Sequence, residues 1–132
     1  MSSSDDYLML IDGEMTASSS GQWLASENPA NEQPLGRVPL ADAADVDRAV
    51  TAAARAQPGW NARPVAERGA LLREVARRLL AMQGEILNLE VRDTGSTIAK
   101  MRGDLGAAAG QLDYYAGLGL EIKGETIPAV DP

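Results

Sequence analysis

Between Asp42 and Tyr115 the chain repeats one pattern four times: apolar residues three and four positions apart, closed by a helix-breaking residue. That spacing aligns side chains on one face of a helix, and it constrains this stretch to helices laid against something apolar. Asp42 is placed to accept from the first free amides of a first helix, and Asp45 adds negative charge near its positive end. Val46, Ala49, Val50 and Ala53 line that helix, and Pro58-Gly59 is expected to stop it because proline lacks the amide hydrogen. Pro64 suits the first turn of a second helix, with Leu71, Leu72, Val75, Ala76, Leu79 and Leu80 on a broad stripe. Gly84 is expected to break or bend the run, leaving a short third helix over Glu85 to Val91 that ends at a left-handed Gly95. Ser96 or Thr97 caps a fourth helix, with Ile98, Met101, Leu105, Ala108, Leu112 and Tyr115 on its stripe. Gly103, Gly106 and Gly110 each weaken that helix by about 1 kcal/mol relative to alanine, which predicts close packing in return.

Ahead of Asp42 the signals are those of turns and short strands. Residues 1–6 read as a disordered N-terminus. Tyr7-Leu8-Met9-Leu10-Ile11 reads as a strand ending in Asp12-Gly13, a pair that adopts the positive φ of a tight hairpin, and Glu14-Met15-Thr16 is its partner. Ser18-Ser19-Ser20-Gly21 reads as a flexible loop. Asn28-Pro29-Ala30-Asn31 has the chemistry of a reversal between Trp23-Leu24-Ala25 and Leu35-Gly36-Arg37-Val38. These two segments form either a short edge-type ribbon or an ordered surface loop without a ladder. The division is therefore a hairpin and ribbon region over 7–40, a helical part over 41–123, and the start of a strand over 124–132.

Composition excludes more than it suggests. The formal net charge of −7 comes entirely from the residues before Val46, where Arg37 is the single basic group, while the rest is balanced. A chain with no basic stripe is a poor nucleic-acid binder. There is no cysteine and no histidine, which removes thiol nucleophiles, disulfides and the usual zinc ligands. The polar, acidic beginning is no signal peptide, and no apolar run has the length of a membrane span, so the expected setting is cytoplasmic. Glu85, Glu90, Asp93 and Asp104 could supply acid and base pairs only if a pocket gathered them. Lys100 reads as a solvated lysine, Trp60 as a plug between helices, and Tyr114 and Tyr115 as packing residues. Gly117-Leu118-Gly119-Leu120-Glu121-Ile122 lacks the third glycine of a dinucleotide fingerprint and follows no strand, so it reads as an unwinding helix end.

An ordered set of motifs carries a resemblance across nearly the whole chain. Met9-Leu10-Ile11-Asp12-Gly13-Glu14, the run Glu27 to Leu40, Trp60, Glu67-Arg68, Asp93-Thr94-Gly95, Tyr114-Tyr115-Ala116-Gly117 and Gly124 to Pro128 together resemble the opening segment of the aldehyde dehydrogenase superfamily. The likeness runs from Tyr7 to Pro128, against only the beginning of that family's much longer polypeptide. It implies an α/β family fold, of which this segment is the mainly α-helical part with an N-terminal hairpin and ribbon and the start of a C-terminal strand. It also implies NAD or NADP on an open α/β domain, attack on the aldehyde by a cysteine thiolate, and release of the acid by glutamate-activated water. In that family these groups lie downstream of the equivalent of Pro132, so no catalytic or cofactor-binding role is carried onto any residue here. The implied partners are the C-terminal remainder of the same polypeptide and further copies in a homo-oligomer, reached through the strand after Gly124. Some members hold a monovalent cation near the backbone equivalent to Glu27 and the carboxylate equivalent to Asp93; local pairing of Asp93 at its helix end is the other reading. The resemblance thus implies an N-terminal scaffold of an NAD(P)-dependent aldehyde dehydrogenase. The alternative is a free-standing helical module that binds a protein partner.

Overall fold

A computed structural model describes residues 5–127. Its elements are β1 (Asp5–Asp6), β2 (Met9–Ile11), β3 (Glu14–Thr16), β4 (Trp23–Asn28), β5 (Gln33–Pro39), α1 (Ala43–Asn61), α2 (Val65–Ala81), α3 (Gln83–Thr94) and α4 (Ile98–Leu118), followed by a 3₁₀ turn over Gly119–Glu121. The hairpin forms where Asp12-Gly13 predicts it, with φ of 57° and 84° at those residues and β2 paired antiparallel to β3. The reversal at Pro29 is also present. Asn28 Oδ1 accepts from the Ala30 amide at 3.0 Å, Asn31 Oδ1 accepts from Gln33 at 3.1 Å, and β4 pairs antiparallel with β5 in a true ladder.

Several expectations need correction. Asp5 and Asp6 belong to no disordered tail: they pair parallel with Gly36 and Arg37, which makes β5 the middle strand of three. Asp6 is held there by a two-bond fork from Arg37, at 2.6 and 2.8 Å, whose guanidinium also lies 4.6 Å from the Trp23 ring centre. Residues 1–4 lie outside the described residues. α1 does not stop at Pro58-Gly59 but runs to Asn61. Proline removes one bond to the preceding turn, and the last turn closes without it through Ala62 N to Pro58 O and Arg63 N to Trp60 O. Gly84 lies inside the first turn of α3, where amides have no intrahelical partner to lose, and the break falls two residues earlier at Met82. Gly124 to Ile127 have no regular structure, because a strand needs a neighbouring ladder and no described element supplies one. Residues 128–132, the rest of that expected strand, lie outside the described residues.

The core is small and sits where α3 and α4 meet. Leu87, Met101 and Leu105 are buried together, with Leu79, Ile86 and Val91 against them. α2 crosses α4 more tightly. A Cβ on Gly69 would lie 2.5 Å from the Ala116 carbonyl oxygen, and one on Gly119 would lie 2.5 Å from Val65 Cγ1. The glycines expected to give close packing, Gly103, Gly106 and Gly110, have nothing within 4 Å of that position. The buried line of α4 is Met101, Leu105, Ala109 and Ala116, while Ile98 and Tyr115 of the expected stripe are exposed. Only Ala76 of the α2 stripe is fully covered; Leu71, Val75 and Leu80 are exposed, as are Val46 and Val50 on α1. The accessible surface is 10041 Å² for 13.9 kDa, against about 6,700 Å² for a compact monomer of that mass. The chain carries apolar faces that nothing among the described residues covers.

Candidate functional site

The ribbon meets the end of α3, and that seam holds the one ligand-binding residue singled out from sequence. Gly95, at φ 70°, ends α3 in the left-handed region, and a Cβ there would lie 2.9 Å from Pro29 Cγ, so the helix end abuts the turn between β4 and β5. One turn back, the Asp93 carboxylate accepts from Ser26 Oγ at 2.7 Å. The β4 ladder shifts register between Ser26 and Glu27, which releases backbone groups from pairing beside Asp93. A cleft of about 290 Å³ opens here between the sheet and α3, lined by Tyr7, Leu35, Arg37, Leu89, Glu90 and Asp93 among others. Among the described residues no three carboxylate, histidine or cysteine side chains gather to hold a metal. A cation beside Asp93 would rest on one carboxylate, the Ser26 hydroxyl and backbone oxygens.

The four acid and base candidates are not gathered into one pocket, although Glu90 shares the cleft beside Asp93 and also borders a second one with Asp104. Asp104 pairs with Lys100 at 2.6 Å on the surface of α4, which also accounts for that lysine as a solvated one. Glu90 and Asp104 border a separate apolar cleft between α3 and α4, while Glu85 lies on neither cleft. Tyr114 and Tyr115 are not buried packing residues: they are exposed and meet edge to face, centroids 5.3 Å apart, because their side of α4 is uncovered. Trp60 is half-exposed, bordering a cleft between α1, α2 and the 3₁₀ turn rather than filling it. Gly117 is the penultimate residue of α4 and Gly119 opens the 3₁₀ turn, with no strand ahead of them. That run therefore does not have the strand–turn–helix setting of a dinucleotide fingerprint.

Sequence reasoning missed the most constrained side chain. Asp45 is 1% exposed and does more than favour the helix dipole. It accepts from Ser18 Oγ at 2.7 Å, from the Ser19 amide at 3.1 and 3.2 Å, from the Asp42 amide at 3.2 Å and from Arg48 Nη2 at 2.6 Å. The Ser18 hydroxyl first, then Arg48 and the two amides, hold its carboxyl well below the usual range, against burial that pushes the other way. The Ser18 to Gly21 loop is thus pinned rather than free. The signal was available in Asp42-Ala43-Ala44-Asp45, a capping box whose fourth residue reaches back, with a serine cluster upstream to satisfy its spare lone pairs.

The family model described as "Aldehyde dehydrogenase family" matches residues 15–132. The alpha-ketoglutaric semialdehyde dehydrogenase of Bacillus subtilis (strain 168) is 37% identical over 126 residues, 95% of this chain and 26% of that protein. A crystal structure of an NAD-dependent aldehyde dehydrogenase from Sinorhizobium meliloti superposes with a TM-score of 0.87 at 34% identity, covering 92% of this chain and 25% of that one. A NAD-dependent benzaldehyde dehydrogenase from Corynebacterium glutamicum superposes at 0.91 with 28% identity, covering 99% and 28%. The chain spans about a quarter of the length of these relatives. Among the described residues no helix is long and apolar enough to cross a membrane.

Proposed function

The chain belongs to the aldehyde dehydrogenase family, and from that premise we propose that it is the N-terminal scaffold of an NAD(P)-dependent enzyme that oxidises an aldehyde to a carboxylic acid. The observation that carries the scaffold role is the uncovered apolar surface. Leu71, Val75, Leu80, Ile98, Tyr114 and Tyr115 are exposed on α2 and α4, and faces of this kind in a soluble protein are covered by a partner surface. The proposed cover is the remainder of a longer polypeptide, which would supply the nucleophile, the general base and the dinucleotide site. NAD-dependent and NADP-dependent proteins both stand among the structural relatives, so the cofactor is given as either. Assembly into a homo-oligomer and a cytoplasmic setting belong to the same reading.

At Asp93 the proposal adds a monovalent cation, seated on its carboxylate and on backbone oxygens beside Glu27. The register shift at Ser26 and Glu27 supports it.

The test of the scaffold reading uses the 132-residue chain with a panel of aldehydes and either NAD or NADP, following reduced nicotinamide by absorbance. The expected result is no turnover, since the chain has no thiolate to attack the carbonyl. Activity that follows the purified chain through successive columns overturns the reading.

A further inference from the structure

Asp12 is the one aspartate in the chain that is followed by glycine, and no asparagine precedes one. The pair matters chemically, because the amide nitrogen after an aspartate can attack the side-chain carboxyl, and glycine has no side chain to shield that nitrogen. The hairpin presents both groups. Ile11 and Glu14 are the last paired residues of the β2–β3 ladder, which leaves the Gly13 amide outside it. A Cβ on Gly13 would meet nothing within 4 Å, so the turn has room for a ring. The other aspartates are placed differently. Asp47, Asp93, Asp104 and Asp113 lie within helices, where the next amide belongs to the helix ladder, and the amide after Asp6 donates to the Arg37 carbonyl at 3.0 Å. One contact opposes the attack at Asp12: its carboxylate is bridged to Arg55, which aims it at α1 and away from its own backbone.

We propose that Asp12-Gly13 is a self-modification site, at which the aspartate isomerises to isoaspartate, and that Arg55 is a positioning residue that holds the reaction back. The step needs no reagent beyond water. The Gly13 nitrogen bonds to the Asp12 side-chain carbon and gives up its proton, and the carboxyl, protonated from solvent, loses its hydroxyl as water, which closes a cyclic imide. Water then opens the ring at one of its carbonyls. Attack at the side-chain carbonyl restores aspartate, whereas attack at the main-chain carbonyl leaves the backbone running through Cβ and frees the former main-chain carbonyl as a carboxylate. Nothing is oxidised or reduced, and the water lost is regained. The carboxylate must leave Arg55 before it reacts, and the cleft of about 470 Å³ between hairpin and α1 gives it room to swing. The lengthened backbone no longer fits a turn closed at φ of 57° and 84°, and the new carboxylate sits on a different stem, so the hairpin loses both its Ile11–Glu14 pairing and its tie to α1. The Asp12 and Arg55 side chains are 59% and 66% exposed, so water reaches the site in the chain itself, and the inference does not rest on the scaffold reading.

The 132-residue chain is held at neutral pH, below its melting transition, and sampled over weeks. Isoaspartate is read with an isoaspartate-specific methyltransferase and a labelled methyl donor, and located by tryptic mapping. The expected result is label in the peptide of residues 1–37, which ends at the first basic residue of the chain, and its absence in Asp12→Glu, whose longer side chain closes the ring poorly. Arg55→Gln should accumulate label about two- to fivefold faster, the range that an exposed ion pair supports, while Arg55→Lys stays near the parent. Added salt screens an exposed pair, so it should speed the parent toward the Arg55→Gln rate and leave Arg55→Gln unchanged, a response that a merely structural role for Arg55 would not produce. The urea-unfolded chain shows the rate without the fold. Label that persists in Asp12→Glu overturns the proposal, and so does a lack of label in every folded variant over an interval in which the unfolded chain acquires it. Equal rates in the parent and in an Arg55→Gln chain of unchanged helicity overturn the role of Arg55.

Discussion

The same substitution, glycine to alanine, should have opposite effects at two positions one helix apart. At Gly69 the added Cβ would stand 2.5 Å from the Ala116 carbonyl oxygen and 3.5 Å from its carbon. Ordinary carbon to oxygen contacts lie near 3.3–3.6 Å, so α2 and α4 would have to part locally by about 1 Å. Inserting atoms into a close contact costs about 1–3 kcal/mol, and the obstacle here is backbone, which cannot turn aside as a side chain can. Against this, alanine improves on glycine in a helix by about 1 kcal/mol. The clash offsets or exceeds that gain, and the net loss for Gly69→Ala is up to about 2 kcal/mol. At Gly106 nothing lies within 4 Å of the new atom, so the propensity term stands alone and the chain gains about 1 kcal/mol. The two variants therefore differ by about 1–3 kcal/mol. Urea unfolding followed by far-ultraviolet circular dichroism resolves this, since a difference of about 2 kcal/mol at a slope of about 2 kcal/mol/M puts the midpoints roughly 1 M apart. If Gly69→Ala stabilised the chain as Gly106→Ala does, the crossing of α2 and α4 would not be the close contact described.

Two further substitutions test the polar anchors. Asp45→Asn should lower the urea midpoint and flatten its acid limb: the folded carboxyl titrates below its unfolded value of about 3.9, so its contribution is present above that pH and lost as pH falls through the folded pKa, and an acid limb identical to the parent's would count against Asp45 as an anchor of the Ser18–Ser19 loop. Asp93→Asn should cost about 1 kcal/mol or less, since the Ser26 bond is solvent-exposed, and should abolish any stabilisation by potassium over tetramethylammonium at equal ionic strength; a potassium effect that survives the substitution removes the cation from Asp93.

Where sequence and structure agree, the signal was local. Asp12-Gly13 encodes its own turn, Thr97 caps α4 by accepting from the Lys100 amide at 3.3 Å, and Gly95 needs only its own φ. Where they part, the deciding contact is distant in sequence. The capping box marks Asp45 and the serine cluster offers donors, but neither alone says that the two meet across 27 residues, and the choice of Gly69 over Gly103, Gly106 or Gly110 depends on which helix crosses which. The broad stripe of α2 shows which residues are apolar but not that Ala76 alone would be covered, because the cover for Leu71, Val75 and Leu80 is not among the described residues. Over Gly124 to Ile127, the described part of the strand expected there, the reason is the same: extended chain without a partner ladder has no regular structure to show.

The β4–β5 ribbon is tied at both ends, and this gives it a mechanical role. At its base, Ser18 and Ser19 bind Asp45 at the start of α1, and the Leu40 amide donates to the Gln22 carbonyl at 2.9 Å. At its tip, Pro29 bears on Gly95 and Ser26 bonds to Asp93 at the end of α3. The ribbon is thus a strut between two helix ends that are far apart in the chain, and its length acts as a ruler for their separation. Adding one residue pair to each strand would move the tip by about 6–7 Å, lifting Pro29 off Gly95 while the base stays fastened. The helical bundle could not absorb that displacement at its core, so only the present strand length keeps both ends fastened.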